Sequence, residues 1–451
     1  IYYISFNNKF RLGASQFAYI FNQLGDNNDC PDVDNIDQLQ FTFAKIQELI
    51  SKNIIISGHD VSDGGIITTL CELAFAGDMG FHIAIPSNVV GNHFLFNEEL
   101  GLVLEVSNEN RNIIENAFSG YVYHLGKTID ADEITITNVF TEKMTVLRMC
   151  WESPSYNMEL LQRTKECVDE EYQAYGKRTI NIPYQNYQQM NYKIDFPMEM
   201  RKHKVAIIRE DGINGERELG YAFYRAGFEV YDLCMNDLLI DENLTFDMFQ
   251  CIAFAGGFSF ADIVSSGKAW SCVIKTNTRI NKIFDDFKNR PNTISLSICN
   301  GCQMISHLGW IPGYKMTVNK SAKFESRCPF IRVNKTNSIM LKGMENLILP
   351  IWCAHGEGRF IVDETIDIDI PMQYVDNMGN PTELYPYNPN GSQNGVASVC
   401  SVDGKHLALL PHPERCILNW QLPYDTNNDN SYTPFVMLFI NAYNWCDENN
   451  K

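Results

Sequence analysis

The chain has 451 residues, a formal net charge of −19 at pH 7, 45% hydrophobic residues and 20% charged residues. This length predicts two or three globular domains, and the apolar content can supply full-sized cores. A chain this acidic repels nucleic acid and anionic lipid, so we expect no nucleic acid partner and no membrane partner. No stretch approaches the roughly 20 apolar residues that cross a bilayer.

The 14 cysteines are dispersed along the whole length. Without a signal peptide at the N-terminus, this distribution predicts a reduced, cytoplasmic protein. The chain does not begin with Met. We therefore expect a fragment or a processed product, whose function can depend on residues upstream.

The first 150 residues alternate between helix-like and strand-like patterns. Apolar residues at helical spacing predict two helices, Leu39–Ile50 and Ile66–Phe75. Apolar runs predict buried strands, and alternation predicts half-exposed ones. The predicted strands are Ile54–Ser57, Leu102–Val106, Ile134–Thr137 and Met144–Leu147.

Residues 152–202 differ from what precedes and follows them. A charged helix is predicted at Glu159–Tyr172, followed by a polar stretch at Tyr184–Tyr192 that is rich in Tyr, Gln and Asn. We predict an ordered linker lying on a domain surface.

From Lys204 onward, strands and helices alternate. A helix is predicted at Glu216–Ala226, ending at Gly227, which suits a helix C-terminus. This alternation predicts a parallel, doubly wound sheet. The predicted strands are Val205–Ile208, Phe228–Tyr231, Cys251–Ala255 and Thr293–Ile298.

Cys299 follows the last of these strands, and Gly301 and a helical pattern follow it. A nucleophile on a tight strand-to-helix turn is exposed at the edge of a doubly wound sheet where ligands bind, and helix N–H groups favour its thiolate. A cysteine that ends a buried strand is often only a core residue. The Cys299-x-x-Cys302 spacing also leaves open a redox pair or half of a zinc site.

His412 and Glu414 lie in a proline-bracketed segment after another apolar strand. The prolines favour an extended backbone that sets both side chains on one side. His412 can take the thiol proton and Glu414 can orient the imidazole, although a lone His here is more often structural. The Gly256-Gly257 pair at a strand end lets N–H groups approach an oxyanion, or is an ordinary turn.

In the N-terminal third, Asp60 and Ser62 precede Gly64-Gly65 and a predicted helix. Carboxylates suit Mg²⁺, and helix N–H groups suit phosphate. Taken alone, such a turn is more often a helix cap than a metal site.

Together these segments resemble the class I (triad) glutamine amidotransferase family. Its signature is Gly-x-Cys-x-Gly-x-Gln with a distant Pro-His-Pro-Glu; Cys299, Gly301 and Gln303 match, while Ser297 replaces the first glycine. The resemblance narrows to the large, single-chain phosphoribosylformylglycinamidine synthases, also called formylglycinamide ribonucleotide amidotransferases. The stretches that carry it are 256–262, 299–304, 355–359 and 387–392, with 151–153 and 170–174 in the linker. The stretches 11–15, 23–26, 59–65, 75–77 and 96–101 match the synthetase half.

This resemblance implies an α/β fold class and three parts. Residues 1–151 would form an α+β or α/β subdomain similar to the C-terminal part of aminoimidazole ribonucleotide synthetase. Residues 152–202 would form the linker. Residues 203–451 would form a doubly wound, flavodoxin-like class I glutaminase domain.

The resemblance also implies residue roles. His412, aided by Glu414, would deprotonate Cys299, whose thiolate attacks glutamine, releases ammonia and leaves a thioester for water to hydrolyse. The residues implied to hold the oxyanion and glutamine are Gly257, Phe258, Asn300 and Gln303. Asp60 would bind Mg²⁺ and Ser62 the nucleotide of an auxiliary ATP/ADP site.

The implied enzyme is an ATP-dependent carbon–nitrogen ligase of purine biosynthesis with glutamine as amido donor. Ammonia would reach formylglycinamide ribonucleotide that ATP has activated, in a site needing the upstream synthetase half of the same polypeptide. A stand-alone cysteine hydrolase and an inactive fragment are the rival interpretations. Gln303 and the Pro-His-Pro-Glu segment disfavour the first, and an intact triad disfavours the second.

Overall fold

The computed structural model describes residues 1–177, 194–197, 201–423 and 431–450. The described residues form two compact units, one of residues 1–157 and 172–177, the other of 158–171 and everything described from 194 onward. Within these ranges, no helix combines the length and apolar content that crossing a bilayer requires.

The first unit contains two four-stranded sheets. Their strands are β1 Tyr2–Ser5, β2 Ile55–Asp60, β3 Gly80–Ile83, β4 Gly101–Val106, β5 Val122–His124, β6 Gly126–Ile129, β7 Ile134–Ile136 and β8 Phe140–Glu142. One sheet has the order β2-β4-β1-β5 and is antiparallel throughout. The other has the order β6-β3-β7-β8, with only β3 and β7 parallel.

Five helices lie between these strands in the chain, and two more follow the last strand within residues 1–177. They are α1 Gln16–Ile20, α2 Ile36–Ser51, α3 Gly65–Gly77, α4 Gly91–Phe96, α5 Arg111–Ala117, α6 Met144–Glu159 and α7 Lys165–Tyr175. The predicted helices Leu39–Ile50 and Ile66–Phe75 are confirmed as parts of α2 and α3.

The sheet around β1 is covered on both faces. Because successive strand residues point to opposite sides, Tyr3 packs in the cluster that contains Leu70 of α3. Its neighbour Ile4 packs in a second cluster with Leu49 of α2. All four side chains are at most 2% exposed, so both apolar faces are removed from water.

The predicted strand at Met144–Leu147 is wrong, because these residues begin α6. The Thr145 backbone N–H donates to Asp132 Oδ1 at 2.9 Å, and its hydroxyl donates to Oδ2 at 2.9 Å. A carboxylate that caps the first turn outweighs the local β preference of Thr and Val. The strand predicted at Ile54–Ser57 exists as β2, but Ile56 is 62% exposed, so β2 is not buried on both sides.

The linker region is more helical than predicted. Helix α6 runs through the predicted boundary at 151/152, and the single helix expected at Glu159–Tyr172 is wrong, because α6 ends at Glu159 and α7 begins at Lys165. The polar stretch Tyr184–Tyr192 lies outside the described residues. The division at 152 and 202 stays a prediction.

The described part of the second unit is built on six strands of a central sheet and seven strands outside it. The central strands are β9 Lys204–Arg209, β10 Glu229–Cys234, β11 Cys251–Phe254, β12 Ile294–Ile298, β20 Ser398–Cys400 and β21 His406–Leu409. The others are β13 Tyr314–Val318, β14 Glu325–Arg327, β15 Phe330–Val333, β16 Ile348–Pro350, β17 Cys353–His355, β18 Glu357–Val362 and β19 Met372–Val375. The helices are α8 Glu216–Arg225, α9 Met235–Ile240, α10 Lys268–Thr276, α11 Thr278–Asn289, α12 Asn300–Leu308 and α13 Val436–Asn449.

The six-stranded sheet has the order β10-β9-β11-β12-β21-β20. All neighbours are parallel except β20, which is antiparallel to β21. One face packs against α8 and α13 and the other against α10, α11 and α12. The predicted doubly wound α/β fold is confirmed, and it brings the carboxyl ends of β11, β12 and β21 to one edge.

Candidate active site

Cys299 lies directly between β12 and α12, on the predicted strand-to-helix turn. Its backbone has φ 49° and ψ −106°, a conformation that residues other than glycine rarely adopt and that costs about 1–3 kcal/mol. The expectation that this turn exposes the thiol is wrong, because Cys299 is only 4% exposed. The surrounding strands therefore enclose the sulfur.

Gly301 explains how the turn fits against the sheet. A Cβ atom at this position would lie 2.5 Å from the Phe254 carbonyl oxygen at the end of β11. Helix α12 can therefore begin close to β11 only because residue 301 has no side chain. The first helical hydrogen bond, from Gln303 N–H to the Cys299 carbonyl at 3.0 Å, fixes the helix to the turn.

His412 and Glu414 form a buried pair at the end of β21. His412 Nδ1–H donates to Glu414 Oε1 at 2.6 Å, and both residues are 1% exposed. The extended backbone predicted here is wrong, because residues Pro413–Arg415 form a short 3₁₀ turn. Pro413 suits the first position of a helical turn, and this turn brings the carboxylate back to the imidazole.

The charge of Glu414 sets the protonation of His412. Burial lowers the pKa of His412, but the Glu414 carboxylate, followed by Cys299, raises it by more, to about 9. His412 is therefore an imidazolium at neutral pH. A cation beside Cys299 favours the thiolate, which is the nucleophilic form.

Gly256 joins the two halves of the site. A Cβ atom here would lie 2.8 Å from His412 Cε1 and 3.2 Å from Cys299 Cβ, so only glycine leaves room for both side chains. The Gly256 carbonyl accepts from Gly215 N–H at 2.9 Å. Because a trans peptide holds C=O and N–H on opposite sides, the Gly257 N–H points away from that donor.

Residues 202–446 match the family described as the CobB/CobQ-like glutamine amidotransferase domain. The chain belongs to this family. Residues 17–138 match a second family, described as the AIR synthase related protein, C-terminal domain. The fold predicted for the amidotransferase domain and the resemblance to this enzyme class are both confirmed.

Curated relatives that match nearly the whole chain carry one enzyme name. A probable phosphoribosylformylglycinamidine synthase, chloroplastic/mitochondrial, of Arabidopsis thaliana is 40% identical over 97% of this chain and 33% of its own length. The Homo sapiens phosphoribosylformylglycinamidine synthase is 38% identical over 96% of this chain and 35% of its own. The PurLQS structure from Thermotoga maritima aligns with 54% of this chain and 99% of its own, at 22% identity and a TM-score of 0.43.

The chain thus spans about a third of the length of the curated relatives it matches. The resemblance to phosphoribosylformylglycinamidine synthases predicted from the sequence is confirmed. The compartment stays a prediction, since the name of the Arabidopsis relative gives organelles rather than the cytoplasm.

Within the amidotransferase domain, the other predicted glutamine-site residues differ in exposure. Phe258 is 40% exposed, and its ring lies 6.0 Å from that of Phe324. Asn300 and Gln303 are buried, and Asn300 Nδ2 donates to Gln303 Oε1 at 3.1 Å. Gln303 Nε2 donates to the Glu357 carbonyl. These two side chains hold the start of α12 against β18.

Sequence reasoning missed the contribution of β17 and of Trp352 just before it. The Trp352 carbonyl accepts from His412 N–H at 2.8 Å, and the Ala354 carbonyl accepts from Cys299 Sγ at 3.7 Å. His355 is fully buried, and burial, followed by the charge of His412, lowers its pKa to about 3. The only sequence signal was the matching stretch 355–359, to which no role was assigned.

The predicted nucleotide and metal residues lie in the first unit. Asp60 ends β2 with its side chain 76% exposed, and the exposed Ser62 precedes α3. A group of three side chains close enough to hold one metal ion occurs in the described ranges at Glu210, Asp211 and Cys234. Asp60 belongs to no such group in these ranges. The assignment of Asp60 to Mg²⁺ stays a prediction.

Proposed function

We propose that the second unit is a glutaminase in which Cys299 is the nucleophile. The observation that carries this proposal is the buried His412–Glu414 pair, joined at 2.6 Å beside the strained Cys299 turn. His412 holds the proton of the thiol as an imidazolium, and the resulting thiolate attacks the side-chain amide carbon of glutamine. His412 then returns the proton to the leaving ammonia, and water hydrolyses the thioester to glutamate.

The tetrahedral intermediate needs N–H donors where its negative oxygen develops. The Gly257 N–H and the Asn300 N–H at the start of α12 supply them in this proposal. Phe258 borders the bound glutamine, and Gln303 keeps α12 in place. The orientation of the Gly256–Gly257 peptide supports this assignment.

We further propose that the whole protein converts formylglycinamide ribonucleotide to formylglycinamidine ribonucleotide with glutamine and ATP. The names of the relatives support this reaction. Residues 1–151 would be one part of the synthetase, completed by an upstream half of the same polypeptide. Residues 152–202 would link this part to the glutaminase at 203–451. The protein would act in the cytoplasm.

An auxiliary Mg²⁺–nucleotide site is proposed at the start of α3. The exposed Asp60 carboxylate suits a hard cation, and the Ser62 hydroxyl lies just before a helix whose N–H groups suit phosphate. The carboxylate and the hydroxyl thus suit a magnesium ion and a nucleotide by their chemistry. Mg²⁺ would neutralise phosphate charge there, and Ser62 would hydrogen-bond the nucleotide.

Replacing Cys299 tests the glutaminase proposal. In the full-length protein, Cys299→Ala should lower glutamine-dependent turnover at least about 1,000-fold, because the nucleophile is removed. Turnover with added ammonia should persist. Cys272→Ala, which changes an exposed cysteine on α10, is the matched control and should retain full activity.

Unchanged glutamine turnover in Cys299→Ala would refute the assignment of the nucleophile. Cleavage of unrelated amides as fast as glutamine would favour a stand-alone hydrolase. Absence of glutamine hydrolysis in the parent protein would favour an inactive fragment.

A further inference from the structure

Residues 158–171 precede the predicted amidotransferase domain but belong to the second unit. Thr164 Oγ1 donates to the Lys320 carbonyl at 2.9 Å. Glu170 accepts from Lys320 Nζ at 3.0 Å and from the Tyr385 N–H at 2.8 Å. The first half of α7 is therefore bound to the loops before β14 and after β19.

Next to these contacts lies a compact network of charges. Arg327 Nη1 donates to Glu171 Oε1 and Arg163 Nη1 to Glu171 Oε2, both at 3.1 Å. Arg327 Nε donates to Glu325 Oε2 at 2.9 Å, and both arginines donate to the Tyr385 hydroxyl. The Glu325 side chain is 2% exposed, a burial that a carboxylate tolerates only with such partners.

The network lies one strand away from the catalytic residues. Glu325 and Arg327 are the two ends of β14, which pairs antiparallel with β17. Strand β17 supplies the Ala354 carbonyl that contacts Cys299 Sγ, and the adjoining Trp352 carbonyl holds the backbone of His412. A shift of β14 would therefore move both catalytic residues.

We propose that Glu171 is a positioning residue of the glutaminase. Through Arg327 it holds β14, and through β14 it holds β17 at the place where Cys299 meets His412. Residues 158–171 are then a working part of the catalytic unit and not only a connection. This inference rests on the proposed function of Cys299 and His412.

The proposed role of Glu171 predicts a specific change in the kinetics of glutamine hydrolysis. Glu171 contacts Arg163 and Arg327, neither of which is a proposed glutamine-site residue, so its loss should change kcat and leave KM nearly constant. A small misplacement of reacting groups lowers the rate strongly, so we expect about a ten-fold fall in kcat. The reactivity of the Cys299 thiol should fall in parallel, because the same geometry sets the distance to His412.

The test compares Glu171→Gln with Asp169→Asn in the full-length protein. Asp169 lies on the same helix and pairs with Lys165 at 2.5 Å, so the control removes an equivalent charge outside the network. We would measure kcat and KM for glutamine hydrolysis. The rate at which iodoacetamide labels Cys299 would be followed by mass spectrometry of its peptide, which needs no turnover.

The expected result is a ten-fold fall in both rates for Glu171→Gln and less than a two-fold change for Asp169→Asn. Equal behaviour of the two variants, or a change confined to KM, would overturn the inference. If Glu171→Gln does not fold, Tyr385→Phe is judged by the same criteria. It removes the hydroxyl that accepts from both arginines and donates to Glu325 at 3.2 Å. Undiminished glutamine hydrolysis in Cys299→Ala would instead overturn the proposed function.

Discussion

His412 and His355 lie near one another in the same interior, yet their pKa values shift in opposite directions. Burial lowers both. The partner decides the difference: His412 faces the Glu414 carboxylate, whereas His355 Nε2 accepts from the neutral Asn390 amide at 3.2 Å. The site therefore pairs one charged histidine with one neutral histidine, which avoids two adjacent cations.

Replacing Glu414 by Gln should move the alkaline limit of activity. With the pKa of His412 at about 9, the proton it gives to leaving ammonia is lost as pH rises through about 9. Without the carboxylate, the fall should begin nearer the ordinary histidine pKa of about 6.5. The measurement is kcat/KM for glutamine hydrolysis between about pH 6 and pH 10.

Glu218→Gln is the control for this experiment, since Glu218 pairs with the neighbouring Arg415 at 3.0 Å. Its alkaline limit should match that of the parent protein. An unmoved limit in Glu414→Gln would show that Glu414 does not control His412.

The positions of Cys299 and His412 after strand ends were predictable, because a strand that ends in a reactive side chain leaves a local pattern. Their burial was not predictable. The Ala354 carbonyl lies against the sulfur, and Gly256, which has no side chain, lets its backbone approach Cys299 closely. Both residues are more than 40 positions away from Cys299 in the chain. Nor did the prolines around His412 reveal a 3₁₀ turn, since proline is compatible with either backbone.

At the scale of elements, four of the six strands of the doubly wound sheet, β9 to β12, were predicted because they are short runs rich in apolar residues that alternate with helical patterns. Helix α6 was missed because Asp132, which caps it, belongs to a different segment. Patterns within one element predict that element; contacts from another element can override them.

A pair of glycine substitutions tests how closely α12 packs against the sheet. Gly301→Ala should lower the free energy of unfolding by about 1–3 kcal/mol, since its Cβ would meet Phe254 at 2.5 Å. Gly220→Ala, inside α8, places a Cβ at an ordinary 3.5 Å from Val230 and should raise it by about 0.5–1 kcal/mol. Urea unfolding of the two variants measures both changes.

Effects of the same sign would contradict this account of the packing. Glutamine hydrolysis should fall in Gly301→Ala, because displacement of α12 also displaces Cys299. It should be unchanged in Gly220→Ala.

At the scale of the whole molecule, the sequence predicted a doubly wound second part, but it did not predict that residues 158–171 belong to that part. Local composition suggests only a polar, charged helix there. The deciding partners, Lys320 and Arg327, lie about 150 residues further along the chain. Membership of a compact unit is set by such distant contacts and not by the order of segments.

Nucleotide binding at the proposed auxiliary site should slow hydrogen exchange in the first unit only. ADP with Mg²⁺ should slow hydrogen exchange in peptides from residues 55–77 by about ten-fold at saturation, since a ligand that binds the folded state stabilises it. Peptides from β9–β12 should be unaffected. Hydrogen exchange of peptides from each unit is measured by mass spectrometry, with and without ADP and Mg²⁺.

Asp60→Asn should lose this protection, while Asp37→Asn, an exposed acidic change on α2, should keep it. Equal protection in both variants would refute the metal assignment.

The strained backbone at Cys299 has an evolutionary consequence. Selection for a stable fold alone would favour glycine at this position, because glycine adopts φ 49° without a side-chain clash. A lineage that had lost the need for this chemistry would be expected to drift away from cysteine here. Cysteine at this position therefore carries a small and permanent loss of stability relative to glycine, which its chemistry and not the fold would favour.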